Sequence, residues 1–148
     1  MNAIDTNVWL YSHDTRDPRK QALAQQLIAA TRPLALPWQV GCEFIAATRK
    51  LAPLGFTEAQ AWAALAAMRA LADTVLLPVP DLWPETQALQ GRYSLSLWDG
   101  LLVAACLRGG VQFLYTEDIG APRVIDSLSL VNPFLAPPTP PPSATGGP

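Results

Sequence analysis

The chain has 148 residues, of which 50% are hydrophobic and only 15% charged, and its net charge is -2 with an isoelectric point near 5.2. This length fits one domain with a sizeable core, and the acidic balance argues against a protein that binds nucleic acid through a broad basic face. The charged fraction lies below the roughly 25% typical of soluble chains, which is explained either by a partner that covers part of the surface or by alanine-rich helices.

The first half of the chain alternates short strands with helices. Asn2–Ile4 predicts a strand that ends at Asp5, and a helical turn follows through Leu10. Asp17-Pro18 begins a helix, because Pro suits the first helical position. The pattern then predicts a strand at 34–36, a helix from 38 to about 51, and a helix to about 72 that begins at the capping box Thr57-Glu58-Ala59-Gln60.

The second half repeats the alternation. Residues 75–79 are apolar and flanked by prolines, which predicts a third strand, and 81–89 predicts a short helix. Ser96 caps the next helix with Asp99 at its third position, and Gly109-Gly110 ends that helix. Phe113–Tyr115 predicts a fourth strand, and Leu128–Val131 is a candidate fifth. This order predicts a three-layer α/β/α domain with a mainly parallel central sheet.

The domain is expected to span residues 1–134. Seven of the fifteen prolines fall from Pro133 onward, so 135–148 is predicted to be a disordered, proline-rich tail. The chain opens on a strand and its longest apolar run, 101–107, is too short to cross a bilayer. Cys42 and Cys106 lie in apolar helical patterns and are expected to be buried and reduced. These features predict a cytoplasmic protein without a membrane partner.

Four carboxylates stand in apolar sequence: Asp5, Glu43, Asp99 and Asp118. An isolated buried carboxylate is costly, and several close together repel, so a divalent cation with oxygen ligands is the usual remedy. Ligands bind beyond the carboxyl ends of parallel strands, and Asp5 and Asp118 each end a predicted strand. If the four converge, the chain is a metal-dependent hydrolase, with a nuclease as the first candidate.

Each carboxylate also has a local explanation. Asp5 is a good cap for the helix that follows it, and Asp99 is the acidic partner of its own capping box. Glu43 is explained by a helix side chain that reaches solvent or pairs with Lys50, and Asp118 by a turn before Gly120. Four such explanations at strand ends and on apolar helix faces are less economical than one shared site.

Four motifs in this order resemble the PIN domain family. They are Asp5-Thr6-Asn7 after the first strand, a lone Glu43, Leu97-Trp98-Asp99-Gly100-Leu101 at a helix start, and Tyr115-Thr116-Glu117-Asp118 at the end of a late strand. The likeness covers residues 1 to about 134, and the subgroup it resembles most is the VapC-like ribonuclease toxins of bacterial toxin–antitoxin pairs. Gly100 departs from the family pattern, in which Ala is usual at this position.

The resemblance implies a metal-dependent endoribonuclease in which Asp5, Glu43, Asp99 and Asp118 form one acidic pocket for Mg²⁺ or Mn²⁺. It further implies supporting positions around these carboxylates, at Thr6, Asn7, Ser96, Thr116 and the additional acid Glu117. The implied partners are an RNA substrate, a small antitoxin and a second copy of the chain. Two small basic groups are candidate RNA contacts or merely solvated surface: Arg16, Arg19 and Lys20, and Arg49 with Lys50.

Other classes of protein stay open at this point. A catalytically silent PIN-like scaffold that binds protein or RNA is the main alternative, and a phosphatase with Asp5 as nucleophile lacks a second Asp two residues further on. A His-based site would depend on His13 alone, which lies in a polar segment and is expected to be exposed. Five tryptophans at apolar positions are expected in the core or in a subunit interface: Trp9, Trp38, Trp62, Trp83 and Trp98.

Overall fold

The computed structural model describes residues 1–136, so the predicted tail lies outside the described residues except for Leu135 and Ala136. The six strands are β1 (Asn2–Ile4), β2 (Leu34–Pro37), β3 (Thr74–Leu76), β4 (Phe113–Tyr115), β5 (Arg123–Ile125) and β6 (Leu128–Val131). The α-helices are α1 (Thr6–Tyr11), α2 (Pro18–Ala30), α3 (Trp38–Ala47), α4 (Glu58–Leu71), α5 (Leu82–Tyr93) and α6 (Leu97–Arg108), with a 3₁₀ helix at Thr48–Leu54.

The strands form one sheet in the order β3-β2-β1-β4-β6-β5. All neighbours pair in parallel except β5, which runs antiparallel to β6. Helices flank this sheet, which confirms the predicted fold class. The chain moves outward from β1 through β2 to β3, and then returns to the other side of β1 with β4. This reversal makes the gap above β1 and β4 the topological switch point, where α/β sheets bind ligands.

The central strands are buried on both faces, as a parallel sheet covered by helices requires. Every residue of β2 is buried, and so are Ala3 and Ile4 of β1 and Leu114 of β4. Phe44 of α3 and Val103 of α6 are also fully buried in this core. The sheet is therefore a rigid platform that fixes the positions of the residues following its strands.

Element boundaries differ from the predictions where proline or short length intervenes. The third helix stops at Ala47 and tightens into the 3₁₀ helix, which contains Pro53; proline lacks an N–H and cannot continue an α-helix interior. Strand β3 ends at Leu76, just before Pro78 and Pro80, because proline cannot donate to the ladder. Strand β5 was not predicted, because three residues after Pro122 carry too little alternation to be recognised.

The predicted burial was wrong for two side chains, Cys42 and His13. Cys106 is buried as expected, but Cys42 is exposed. His13 is partly buried, with its ring centroid 5.1 Å from that of Phe56 and 5.9 Å from that of Phe44, and burial lowers its pKa. The five tryptophans were expected in the core or in a subunit interface: Trp9 belongs to the core, and the other four are at least 54% exposed, which leaves the interface prediction open for them. No helix within residues 1–136 is long and apolar enough to traverse a lipid bilayer.

Candidate metal-dependent active site

The candidate site forms at the carboxyl ends of β1 and β4, the two central strands. Asp5 directly follows β1, and Thr116, Glu117 and Asp118 follow β4. The backbone N–H of Asp5 donates to the carbonyl of Tyr115 at 2.9 Å, which fixes the two strand ends side by side. The parallel pairing of β1 with β4 therefore brings together residues that lie more than one hundred positions apart in the sequence.

Asp5 is the centre of this site. It is only 6% exposed, and its carboxylate accepts hydrogen bonds from the Thr6 backbone N–H at 2.7 Å, the Thr116 hydroxyl at 2.7 Å and the Asn7 amide at 3.2 Å. The bond from Thr6 also makes Asp5 the cap of α1. The capping explanation and the site explanation therefore apply to the same side chain.

The environment of Asp5 disfavours its charge. Burial raises its pKa to about 6, opposed by the hydrogen bonds from Thr116 and Thr6 and reinforced by the negative charges of Glu43 and Asp118. At neutral pH Asp5 is thus ionised in a desolvated place beside two other acids, and no Lys or Arg within residues 1–136 forms a salt bridge with it. A carboxylate held in this way is a ready ligand for a cation.

Asn7 and Thr116 join Asp118 to Asp5. The Asn7 amide donates to Asp118 at 2.9 Å and to the Thr116 hydroxyl oxygen at 3.2 Å, in addition to its bond with Asp5. The fully buried Thr116 oxygen also accepts from the Asp118 backbone N–H at 3.0 Å. The Asn7 amide therefore binds both carboxylates, while Thr116 binds the carboxylate of Asp5 and the backbone of Asp118.

Glu43 is held at both of its carboxylate oxygens. The Thr6 hydroxyl donates to one oxygen at 3.0 Å, and the Gln39 amide donates to the other at 2.6 Å. Gln39 also donates to the carbonyl of Trp98 at 2.9 Å, so it connects α3 with the start of α6. Sequence reasoning missed Gln39, although its position one helical turn before Glu43 was a usable signal.

Asp99 lies at the margin of this network. The Ser96 hydroxyl caps α6 by accepting from the Asp99 backbone N–H at 3.2 Å, and Ser96 contacts none of the carboxylates in the hydrogen bonds of the described chain. The partly buried Asp99 carboxylate forms no hydrogen bond within residues 1–136, and its connection to Glu43 runs through Trp98 and Gln39. The structure thus joins Asp5, Glu43 and Asp118 in one hydrogen-bond network, and it does not join the Asp99 carboxylate to that network.

Glu117 faces a different set of side chains. Its carboxylate accepts from the Tyr11 hydroxyl at 2.8 Å and from the Lys20 ammonium at 2.6 Å, and this ammonium lies 4.4 Å from the Tyr11 ring centroid. The positive charge of Lys20 therefore compensates the negative charge of Glu117. Glu117 is therefore engaged away from Asp5, although its backbone adjoins the site.

The donor atoms of the acidic network suit a hard divalent cation. Across residues 1–136 no three His, Cys, Asp or Glu side chains converge into a group ready to hold a metal ion. Mg²⁺, however, is commonly held by one or two carboxylates together with waters and substrate phosphates. Asp5 and Asp118, which share the Asn7 amide as a hydrogen-bond donor, meet this smaller requirement.

Gly100 brings α6 close to α5 and so influences where the start of α6 lies. A Cβ atom at position 100 would lie 2.8 Å from the Thr86 methyl carbon, nearer than ordinary packing allows. The buried Thr86 side chain thus occupies the space that Ala would use. The departure from the family pattern at this position has a local steric cause.

The fold and the carboxylate network define a doubly wound α/β domain with an acidic site at its switch point. The sequence model of the PIN domain family matches residues 3–126. The chain belongs to the PIN domain family. Among curated proteins none matches the chain.

Solved structures share this fold at low sequence identity. The Mycobacterium tuberculosis toxin VapC20, which cleaves the sarcin–ricin loop, is 20% identical, with a TM-score of 0.61 over 80% of this chain and 90% of that one. A toxin–antitoxin complex from Klebsiella pneumoniae is 19% identical, with a TM-score of 0.62 over 90% and 98%. VapBC-1 from nontypeable Haemophilus influenzae is 15% identical, with the same TM-score and coverage.

Proposed function

We propose that this chain is a metal-dependent endoribonuclease, the toxin of a toxin–antitoxin pair, which hydrolyses RNA phosphodiester bonds. The observation that carries the proposal is the desolvated Asp5, hydrogen-bonded into one network with Asp118 and Glu43 at the switch point of the sheet. Membership of the PIN domain family and the structural likeness to VapC20, a toxin that cleaves the sarcin–ricin loop, support it.

Asp5 and Asp118 would hold Mg²⁺ or Mn²⁺, with Asp99 and Glu43 completing the acidic set. A bound cation of this kind lowers the pKa of water and neutralises charge on the phosphate and on the leaving oxygen. The protein supplies the positioning: Asn7 and Thr116 hold Asp5 and Asp118 together, as their hydrogen bonds indicate. No covalent bond between protein and RNA is required.

Glu43 orients the attacking water in this proposal. The hydrogen bonds from Thr6 and Gln39 fix the carboxylate at both oxygens, so its direction is set before substrate arrives. Catalytic groups that are held in advance lose less entropy at the moment of reaction. Gln39 therefore acts through Glu43 as a positioning residue.

The antitoxin is proposed to cover an apolar groove beside this site. The groove has a volume of about 850 Å³, is lined by Trp38, Trp83 and Trp98, and includes Glu43 and Gln39 in its wall. Exposed apolar surfaces of this kind mark interaction sites, and a segment seated here reaches the acidic network. Co-purification with the product of an adjacent short open reading frame tests this partner, and Trp83→Ser is expected to weaken the complex.

A homodimer is also proposed, with a second apolar depression available for it. This depression, of about 470 Å³, is lined by Trp62, Leu65 and Val75 and shares Trp38 with the first groove. Light scattering of the purified chain measures its mass in solution. A monomer at micromolar concentration would remove the dimer from the proposal.

Cleavage of a mixed RNA pool tests the proposed activity. Wild-type protein is expected to cleave the pool with Mg²⁺ or Mn²⁺ and to be inactive in EDTA, and Asp118→Asn is expected to be inactive under all conditions. Glu58→Gln, which removes an exposed acid in the first turn of α4, is the matched control. Equal cleavage by Asp118→Asn, or cleavage in EDTA, would contradict the assignment.

A further inference from the structure

Another cavity, separate from the two apolar depressions described above, opens directly from the acidic network. It has a volume of about 330 Å³ and lies between α1 and the 3₁₀ helix, with Asn7 and Asp118 in the wall that it shares with the network. Arg16 and Lys50 line the same cavity, although they belong to two basic groups separated in the sequence. Its volume falls within the range of about 300–1,000 Å³ found for small-ligand sites.

The charges around this cavity are unevenly compensated. Asp14 is bound by Arg16 at 2.9 Å, and Glu117 is bound by Lys20 at 2.6 Å, so both of these acids have cationic partners. Lys50, by contrast, is exposed and forms no salt bridge with any residue in the range 1–136. Two charged residues in the cavity wall, the cation Lys50 and the anion Asp118, are thus left without a salt-bridge partner in the described part of the chain.

The structure also separates the members of the two basic groups. Arg19 donates to the carbonyl of Phe134 at 2.8 Å, and Lys20 is engaged by Glu117. Arg49 lines a different depression, which lies next to Phe56 and Glu58. Of the five basic residues, Arg16 and Lys50 are the two that line this cavity. Arg16 binds Asp14 through two hydrogen bonds of 2.9 Å, whereas Lys50 forms no salt bridge within residues 1–136.

We propose that this cavity binds a phosphate of the RNA substrate, namely the phosphate next to the cleaved one along the same strand. Lys50 is its main contact and Arg16 a second. The inference rests on the proposed ribonuclease function and adds a path for the strand along α1. A lysine ammonium is an effective phosphate ligand, and phosphate contacts fix register without reading sequence. The same cavity explains how an acidic protein binds RNA without a broad basic face.

The test measures binding apart from cleavage. Full-length protein binds a fluorescently labelled, randomised single-stranded RNA of twenty nucleotides in EDTA, and anisotropy gives Kd over a range of salt concentrations. Lys50→Ala is expected to raise Kd about fivefold and to reduce the slope of log Kd against log salt by about 0.7. Lys50→Arg keeps the positive charge and is expected to have the Kd and the salt dependence of the wild-type protein. A merely structural role of Lys50 would not predict this recovery.

Arg49→Ala is the matched control, because Arg49 is adjacent, exposed and of the same charge but lines another depression. Equal effects of Lys50→Ala and Arg49→Ala would overturn the inference, and so would a wild-type protein that binds no RNA. Cleavage assays with Mg²⁺ separate the two proposals. Normal cleavage with an unchanged KM in Lys50→Ala overturns the phosphate contact alone, whereas RNA binding that depends on Lys50 without any cleavage supports the contact and contradicts the nuclease.

Discussion

Replacing Asp5 by Asn removes the charge of the site while it keeps the side-chain shape and the cap of α1. Burial raises the pKa of Asp5 from 3.8 to about 6. One pKa unit corresponds to about 1.4 kcal/mol, so at pH 7.5 the ionised carboxylate costs the folded protein about 3 kcal/mol relative to the unfolded chain. Asp5→Asn is expected to remove this cost.

The substitution also weakens some hydrogen bonds. The introduced side chain can still accept from the Thr6 backbone N–H, but its own amide group would face both the Thr116 hydroxyl and the Asn7 amide, which donate to the same Asp5 oxygen at 2.7 and 3.2 Å in the wild-type protein. The hydroxyl can rotate to accept from the new amide, whereas the Asn7 amide cannot accept, so one bond is lost. The loss of this hydrogen bond to a buried charged group costs about 1.5–3 kcal/mol. We therefore expect a net stabilisation of about 1 kcal/mol at pH 7.5, which raises Tm by about 4 °C for a chain of this size.

The pH dependence identifies the cause. The folded-state pKa of Asp5 is raised, so the cost is absent below pH 3.8, grows as pH rises toward 6 and is complete above it. Urea unfolding in EDTA, at pH 4 and at pH 7.5, is expected to show the advantage of Asp5→Asn over wild type at the higher pH only. Glu58→Gln serves as the control. An Asp5→Asn protein less stable than wild type at pH 7.5, or an effect independent of pH, would refute this reasoning.

Two further predictions concern packing and positioning. Gly100→Ala is expected to destabilise the protein by about 1 kcal/mol, because its Cβ would lie 2.8 Å from the Thr86 methyl; in a Thr86→Ser background, Ala is expected to be the more stable residue, since it favours the helix. Urea unfolding that gives the same sign in both backgrounds would contradict this. Gln39→Ala is expected to lower kcat for RNA cleavage about tenfold at unchanged Tm, and an unaltered kcat would show that Gln39 does not position Glu43.

The fold was predictable because its signals are local. Alternating strands and helices indicated a parallel sheet, and parallel strand ends meet at one edge, so Asp5 and Asp118 were expected to be neighbours. The order of strands was not predictable in this way, because the pairing of β1 with β4 depends on contacts across the whole chain. That pairing is what places both acids at the switch point.

Side-chain partners were harder to predict than backbone positions. The family resemblance implied a supporting position at Asn7 without naming its partners, whereas the structure shows its amide donating to both Asp5 and Asp118. Only the tertiary structure shows that Arg16 and Lys50 line one cavity, since neither basic segment contains a sequence signal for contact with the other. The sequence did not decide whether Trp83 lies in the core or on the surface, because an apolar helical position has the same pattern whether the core or a partner covers it.

Binding of Mn²⁺ tests most directly the claim that the carboxylates at the switch point form a divalent-metal site. Electron paramagnetic resonance of free Mn²⁺, titrated with full-length protein at pH 7.5, measures occupancy without any RNA. The account predicts that wild type and Glu58→Gln bind Mn²⁺ and that Asp5→Asn and Asp118→Asn bind it at least tenfold more weakly, the expected loss for a removed charged ligand being of order 1.4 kcal/mol or more. Undiminished binding by both Asn variants, or no binding by wild type at millimolar Mn²⁺, would contradict it.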